Sequence, residues 1–187
     1  QIRGKLMKCE KTALEGVFIL TPKIFVDERG WFMESYSAKS LAEVGIDCTF
    51  VQDNHICSVR RGVLRGIHFQ NAPFAQAKLI RCTQGKVMDY AIDLRKSSTT
   101  YKQFVCVELS AEDKKQFFIP RGFGHAVISL TDYSEIEYRV DNLYNKEYDR
   151  TISYHDEELN IPWPMDSIIV SEKDRTAPML KESDCNF

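Results

Sequence analysis

Apolar and polar residues alternate with a period of two along most of this chain, and glycine, proline and aspartate interrupt the pattern at short intervals. In "VMDYAIDL", Met88, Tyr90, Ile92 and Leu94 share one side, and Val87, Asp89, Ala91 and Asp93 the other. "HAVISL" sets Ala126, Ile128 and Leu130 against His125, Val127 and Ser129, and "IEYRV" sets Ile136, Tyr138 and Val140 against Glu137 and Arg139. Successive side chains of a strand point to opposite faces, so each stretch predicts a half-buried strand. Turn signals fall at Glu28-Arg29-Gly30, Arg61-Gly62, Gln84-Gly85, Pro120-Arg121-Gly122 and Thr131-Asp132. Many short strands at this spacing predict an antiparallel sandwich or barrel.

Helix signals are few. "SAKSLAEVG" opens on a candidate N-cap, Ser37, carries Leu41 and Val44, and stops at Gly45. "SAEDKKQ" places Ser110 and Asp113 at capping-box spacing, enough for one turn. The opening "QIRGKLMKCEKTAL" has no clear period, and residues 1–15 are expected to be partly disordered. Residues 145–187, rich in proline and turn residues, are expected to wrap the barrel irregularly. With no repeat, low-complexity tract or linker, the 187 residues predict a single all-β domain.

Charge narrows the function. Lys and Arg total 25 against 27 Asp and Glu, a net charge of -2, which argues against a nucleic-acid binder driven by counterion release. It leaves room for a local basic pocket that takes a phosphorylated small molecule. Cysteines at 9, 48, 57, 82, 106 and 185 form no C-x-x-C pair, and several lie in apolar runs. They read as reduced, buried thiols rather than a disulfide framework or zinc site. No apolar run approaches the ~18 residues of a membrane span, and no signal-peptide pattern opens the chain. The expectation is a cytoplasmic protein with no membrane partner.

The candidate chemistry centres on "VLRGIHFQ", residues 63–70. Arg65 and His68 differ by an odd number, so a regular strand would face them oppositely; Gly66 supplies a bulge that lets both point inward. Lys78 follows ten residues after His68. An interior holding Arg, His and Lys together is costly unless it holds an anion, which points to a phosphate-bearing ligand. The alternative leaves Arg65 and Lys78 on the rim in solvent. Histidines 55, 68, 125 and 155 form no His-x-His pair, so no metal site has local support.

Seven blocks extend this reading: "DERGWFMESY", "FVQDNH", "GVLRGIHFQ", "AQAKLIRCTQGKVMDYAIDLRKSSTTY", "LSAEDKKQFFIPRGFGHAV", "YRVDNLY" and "SEKDRTAPML". Running in order from about Gly16 to Leu180, they resemble the dTDP-4-dehydrorhamnose 3,5-epimerase family. The resemblance implies a double-stranded β-helix, the jelly-roll barrel of RmlC-like cupins. It also implies a homodimer, a dTDP-linked 4-keto-6-deoxy sugar as substrate, and no metal or organic cofactor. By resemblance His68 is the base, Asp174 the carboxylate that orients it, Lys78 the cation that stabilises the enolate, and Tyr138 the acid on the opposite face. On their own, Tyr138 would read as a core tyrosine and Asp174 as a surface acid.

Further positions carry over to binding. Arg29 and Glu34 match residues that reach the thymidine diphosphate from the partner subunit, and Gln52, Asp53 and Asn54 match the nucleotide-contacting run. Arg65 matches a diphosphate ligand, His125 and Lys173 match further substrate contacts, and Tyr144 matches an aromatic that stacks on thymine. The chain departs from the family pattern at Ala77, Leu143, Tyr154, Glu157 and "GFGHAV". Those departures bear on sugar or base preference and leave the four catalytic positions intact. Competing readings are a C3-only or GDP-sugar epimerase, a non-catalytic nucleotide-sugar binding module, and a metal-dependent cupin enzyme.

Overall fold

The computed structural model describes residues 6–187. Thirteen strands form among them: β1 (Met7–Lys11), β2 (Phe18–Pro22), β3 (Ile24–Asp27), β4 (Gly30–Met33), β5 (Gln52–Ser58), β6 (Leu64–Gln70), β7 (Lys78–Gln84), β8 (Lys86–Asp93), β9 (Phe104–Ser110), β10 (Gln116–Ile119), β11 (Phe123–Ser129), β12 (Ser134–Val140) and β13 (Asp149–Thr151). A six-stranded sheet runs β1-β2-β10-β7-β12-β5, and a five-stranded sheet runs β13-β6-β11-β8-β9. Their strand pairings are antiparallel throughout. The remaining pair, β3 and β4, forms a separate ribbon. This is the all-β, cupin-like jelly roll that the pattern and the resemblance predicted. No helix among the described residues is long and apolar enough to cross a membrane.

Three apolar clusters hold the layers together. Between the sheets, Ile80, Phe117, Ile119 and Ile136 meet Val87, Ala91, Leu109, Phe123 and Val127. On the outer face of the five-stranded sheet, Leu64, Ile67, Tyr90, Ile92 and Ile128 are covered by Ile152, Leu159, Ile161 and Leu180 from the C-terminal stretch. On the outer face of the six-stranded sheet, Leu20, Leu79 and Phe118 pack against Leu41 and Ile46, in and just after α1 (Ala38–Glu43). The second cluster corrects an expectation. β8 and β11 are not half-buried: on β8 the face of Val87, Asp89, Ala91 and Asp93 that alternation would leave to solvent turns inward to the other sheet, the C-terminal stretch covers Tyr90 and Ile92 on the opposite face, and Asp89 and Asp93 are fully buried. β12 keeps the expected pattern, with Ile136 and Val140 buried and Glu137 and Arg139 partly exposed.

Local signals act as read. Ser37 Oγ accepts from the Ser40 N–H at 3.3 Å to cap α1, and Gly45, at φ +87°, ends it. The Ser110 N–H donates to Asp113 Oδ1 and the Asp113 N–H to Ser110 Oγ, a reciprocal cap on one turn. Of the opening stretch expected to be partly disordered, residues 1–5 lie outside the described residues and Met7–Lys11 form β1. Cys82 and Cys185 are buried, but Cys57 and Cys106 are exposed, since both fall on the outward side of their strands' alternation.

Candidate active site

β6 departs from regular pairing where the sequence places Gly66. Along β11 the two-residue step from His125 to Val127 is matched on β6 by the three-residue step from His68 to Arg65. Gly66 sits at φ +134°, and a Cβ there would lie 2.6 Å from Ala126 Cβ and 2.7 Å from the His125 carbonyl oxygen. Only glycine fits both the dihedral and the space. The extra residue turns Arg65 and His68 to the same side while Ile67 packs into the outer cluster.

Both side chains line a cavity of about 460 Å³ between the sheets, together with Lys78 from β7, His125 from β11, Tyr138 from β12 and Asp174. A second lobe of about 420 Å³ shares His68, Lys78, Tyr138 and Lys173 and adds Gln52, Asn54, Gln70, Tyr144 and Asp149. The sequence-predicted quartet of His68, Lys78, Tyr138 and Asp174 therefore converges on one space, although its members lie far apart in the chain.

His68 Nε2 lies 2.6 Å from Asp174 Oδ1. Asp174 is 2% exposed and sits in α2 (Glu172–Arg175), where its N–H donates to the capping hydroxyl of Ser171 at 3.1 Å. Burial raises the Asp174 carboxyl, but the hydrogen bond from His68, with the bonds from Ser171 and the Gly66 backbone, more than offsets this and holds it below its ordinary value. An ionised carboxylate only accepts, so Nε2 carries the hydrogen and Nδ1 keeps a lone pair. An imidazole in that state is a base.

Lys78 is 9% exposed, and desolvation brings its ammonium down to about 8 against the pull of Asp89 and Asp149. Its Nζ stands 5.8 Å from the Tyr138 ring centroid and 3.5 Å from His125 Nδ1. Burial raises the Tyr138 phenol, with Arg65 opposing and Asp149 adding to the rise, so it stays protonated and able to donate. His125 Nε2 lies 2.9 and 3.0 Å from the two oxygens of Asp89, and desolvation keeps the imidazole below its ordinary pKa.

The remaining sequence-predicted residues divide. Arg65 donates to Ser58 Oγ at 3.3 Å and to the Cys57 carbonyl at 3.0 Å, and has no carboxylate partner among the described residues. Gln52 and Asn54 line the second lobe, but Asp53 does not join them. It lies on the opposite face of β5 and pairs with Arg139 at 3.2 Å, as strand alternation requires. The Tyr144 hydroxyl donates to Asp149 Oδ2 at 3.2 Å, and Lys173 Nζ lies 2.5 Å from the same oxygen. Arg29 pairs with Asp27, and Glu34 accepts from Ser40 Oγ; neither lines the cavity within this chain. His55 pairs with Glu135, and the His155 ring packs tilted against Tyr154, both away from the cavity. Among the described residues no group of three or more His, Cys, Asp or Glu side chains is placed to hold a metal ion.

Two residues escaped the sequence reading. Asp89 left a faint signal, a carboxylate inside an otherwise apolar run. Asp149 left none, being one acid among several in a turn-rich stretch.

Known proteins resemble this chain over nearly its whole length. The family model described as dTDP-4-dehydrorhamnose 3,5-epimerase matches residues 11–182. A dTDP-4-dehydrorhamnose 3,5-epimerase of Shigella flexneri is 46% identical over 179 residues, spanning 95% of this chain and 98% of its own. The crystal structure of the Elizabethkingia anophelis NUHP1 enzyme of the same name superposes with a TM-score of 0.91 at 43% identity, covering 96% of this chain and 99% of that one. A dTDP-6-deoxy-D-glucose-3,5-epimerase of Legionella pneumophila Philadelphia 1, solved with dTDP-4-keto-L-rhamnose, superposes with a TM-score of 0.91 at 40% identity over 95% of each chain.

Proposed function

This chain belongs to the dTDP-4-dehydrorhamnose 3,5-epimerase family, and we propose that its cavity is where it inverts C3 and C5 of dTDP-4-dehydro-6-deoxy-D-glucose, giving dTDP-4-dehydro-L-rhamnose. The ketone at C4 acidifies the hydrogens on both neighbouring carbons. Inversion needs a base on one face of the ring, an acid on the other, and a positive charge near the ketone oxygen while the enolate exists. His68 is the base, and Asp174 orients it and stabilises the imidazolium. Lys78 stabilises the enolate oxygen. Tyr138, kept protonated by burial, returns a proton from the far side. The contact that carries this reading is the 2.6 Å hydrogen bond between His68 and Asp174 at the wall of a cavity that Lys78 and Tyr138 share.

The diphosphate and the base occupy the mouth and the second lobe. Arg65, with no carboxylate partner of its own among the described residues, grips phosphate oxygens through two nitrogens. Lys173 exchanges Asp149 for phosphate, and Tyr144, 56% exposed at the rim, stacks on thymine. The β3–β4 ribbon exposes Val26 (77%), Trp31 (58%) and Phe32 (68%), a surface that favours burial against a second copy in a homodimer. Arg29, at the turn of that ribbon, then reaches the partner's nucleotide. The exposed thiols of Cys57 and Cys106 suit a reducing compartment, which supports a cytoplasmic location.

Incubation with the keto sugar in deuterium oxide tests the proposal. Deuterium is expected at C3 and C5 of the product, and His68→Asn is expected to abolish its uptake. Product formed without deuterium at either carbon would remove the proton-transfer mechanism.

A further inference from the structure

Two buried groups in and behind the cavity wall take no part in the proton transfers assigned above: Asp89 on β8 and His125 on β11. Asp89 is 0% exposed, and its two oxygens bracket His125 Nε2 at 2.9 and 3.0 Å. The carboxylate can only accept, so Nε2 carries the hydrogen and Nδ1 presents a lone pair. That lone pair lies 3.5 Å from Lys78 Nζ, whose hydrogens can only donate. A buried carboxylate whose partner is a neutral imidazole is a poor architectural element, since an apolar pair would fill the space at less free-energy cost.

We propose that Asp89 is a positioning residue: acting through the fixed tautomer of His125, it holds Lys78 as an ammonium and orients it toward the ketone oxygen. The inference rests on the reading of Lys78 as the enolate-stabilising cation. The imidazole between them matters. A carboxylate bonded directly to Lys78 would neutralise the charge that the enolate needs. The spacer engages one ammonium hydrogen and leaves the others for substrate, while the charge of Asp89 acts across it.

Lys78 shares its cavity with Arg65 and His68 from β6, His125 from β11, Tyr138 from β12 and Asp174 from α2, with Asp149 and Lys173 at the second lobe and Asp89 behind His125 on β8. Of these, Asp89 and Asp149 favour the ammonium, and desolvation opposes it. Removing the charge of Asp89 therefore lowers the Lys78 pKa further. A catalytically required ammonium is lost as pH rises through that pKa, so the alkaline limb of kcat moves toward acid.

The test compares wild type with Asp89→Asn. In the variant the alkaline limb of kcat is expected to move down by about one pH unit or more, with KM changed less than about twofold. An unmoved limb beside a lower kcat would reduce Asp89 to a structural role and overturn the proposal. A second measurement needs neither variant nor turnover. Nitrogen-15 NMR of the wild-type protein is expected to show His125 neutral, with hydrogen on Nε2, from pH 6 to 9. An Nδ1–H tautomer or an imidazolium would overturn the proposal, whatever becomes of the epimerase reading.

Discussion

Replacing Gly66 with alanine is expected to damage stability and catalysis together, and the structure sets the size of both effects. The added methyl would meet Ala126 Cβ at 2.6 Å, about 0.8 Å inside ordinary contact at 3.4 Å. Its neighbours are backbone and a short side chain, so nothing flexible can yield. Overpacking of this kind costs about 1–3 kcal/mol, and a side chain at positive φ adds about 1–2 kcal/mol. For a chain of this length each kcal/mol lowers Tm by about 2–4 °C, so a loss of about 10 °C is expected. Relief requires β6 to move away from β11, which displaces His68 from the substrate. A misplacement near 1 Å is expected to lower kcat about a hundredfold. Gly45→Ala is the control. Gly45 also has a positive φ, +87°, but its Cβ would meet nothing within 4 Å, so this change isolates the backbone contribution and should leave kcat intact. Scanning calorimetry and initial-rate kinetics on both variants decide the matter. Should Gly66→Ala melt with Gly45→Ala and keep its kcat, the bulge has no part in aligning Arg65 with His68.

Three further outcomes are expected. Asp174→Asn should lower kcat about 10³-fold with little change in KM, because the amide cannot hold the imidazolium. The depressed Asp174 carboxyl also contributes stability that is present above its ordinary pKa of 3.8 and lost as pH falls through the lower folded value, so acid titrations of wild type and variant should converge at low pH. Lys78→Met should abolish most turnover yet raise Tm by about 5 °C at pH 7, since it removes a desolvated ammonium. With a folded pKa of about 8 below the ordinary 10.5, Lys78 destabilises the fold most below pH 8, and calorimetry should show the advantage of the variant shrinking as pH rises toward 10.5. Tyr144→Ala should weaken dTDP binding about tenfold by titration calorimetry while sparing kcat at saturation, as loss of a stacking surface requires.

The period-two pattern, the turn residues and Gly66 made much of this fold readable in advance. Alternation identifies a strand and its two faces but does not say what lies over each face. Hence the double burial of β8 and β11 was invisible, because the residues that cover them come from the irregular C-terminal stretch. Asp89 was hidden for a different reason: in a half-buried strand its polar face belongs to solvent, whereas here that face turns inward to the other sheet. In "VQDNH" the family block does not separate neighbours, whereas strand geometry does, sending Gln52 and Asn54 to the second lobe and Asp53 to Arg139. The meeting of His68 with Asp174 had no local signature and came only through the family resemblance.

That meeting spans 106 residues of chain. On the ribosome, every strand of both sheets is synthesised before the carboxylate that makes His68 a competent base. Leu180 and Cys185, which follow that carboxylate, are buried in the outer cluster, so sealing the five-stranded sheet and arming His68 are one packing event.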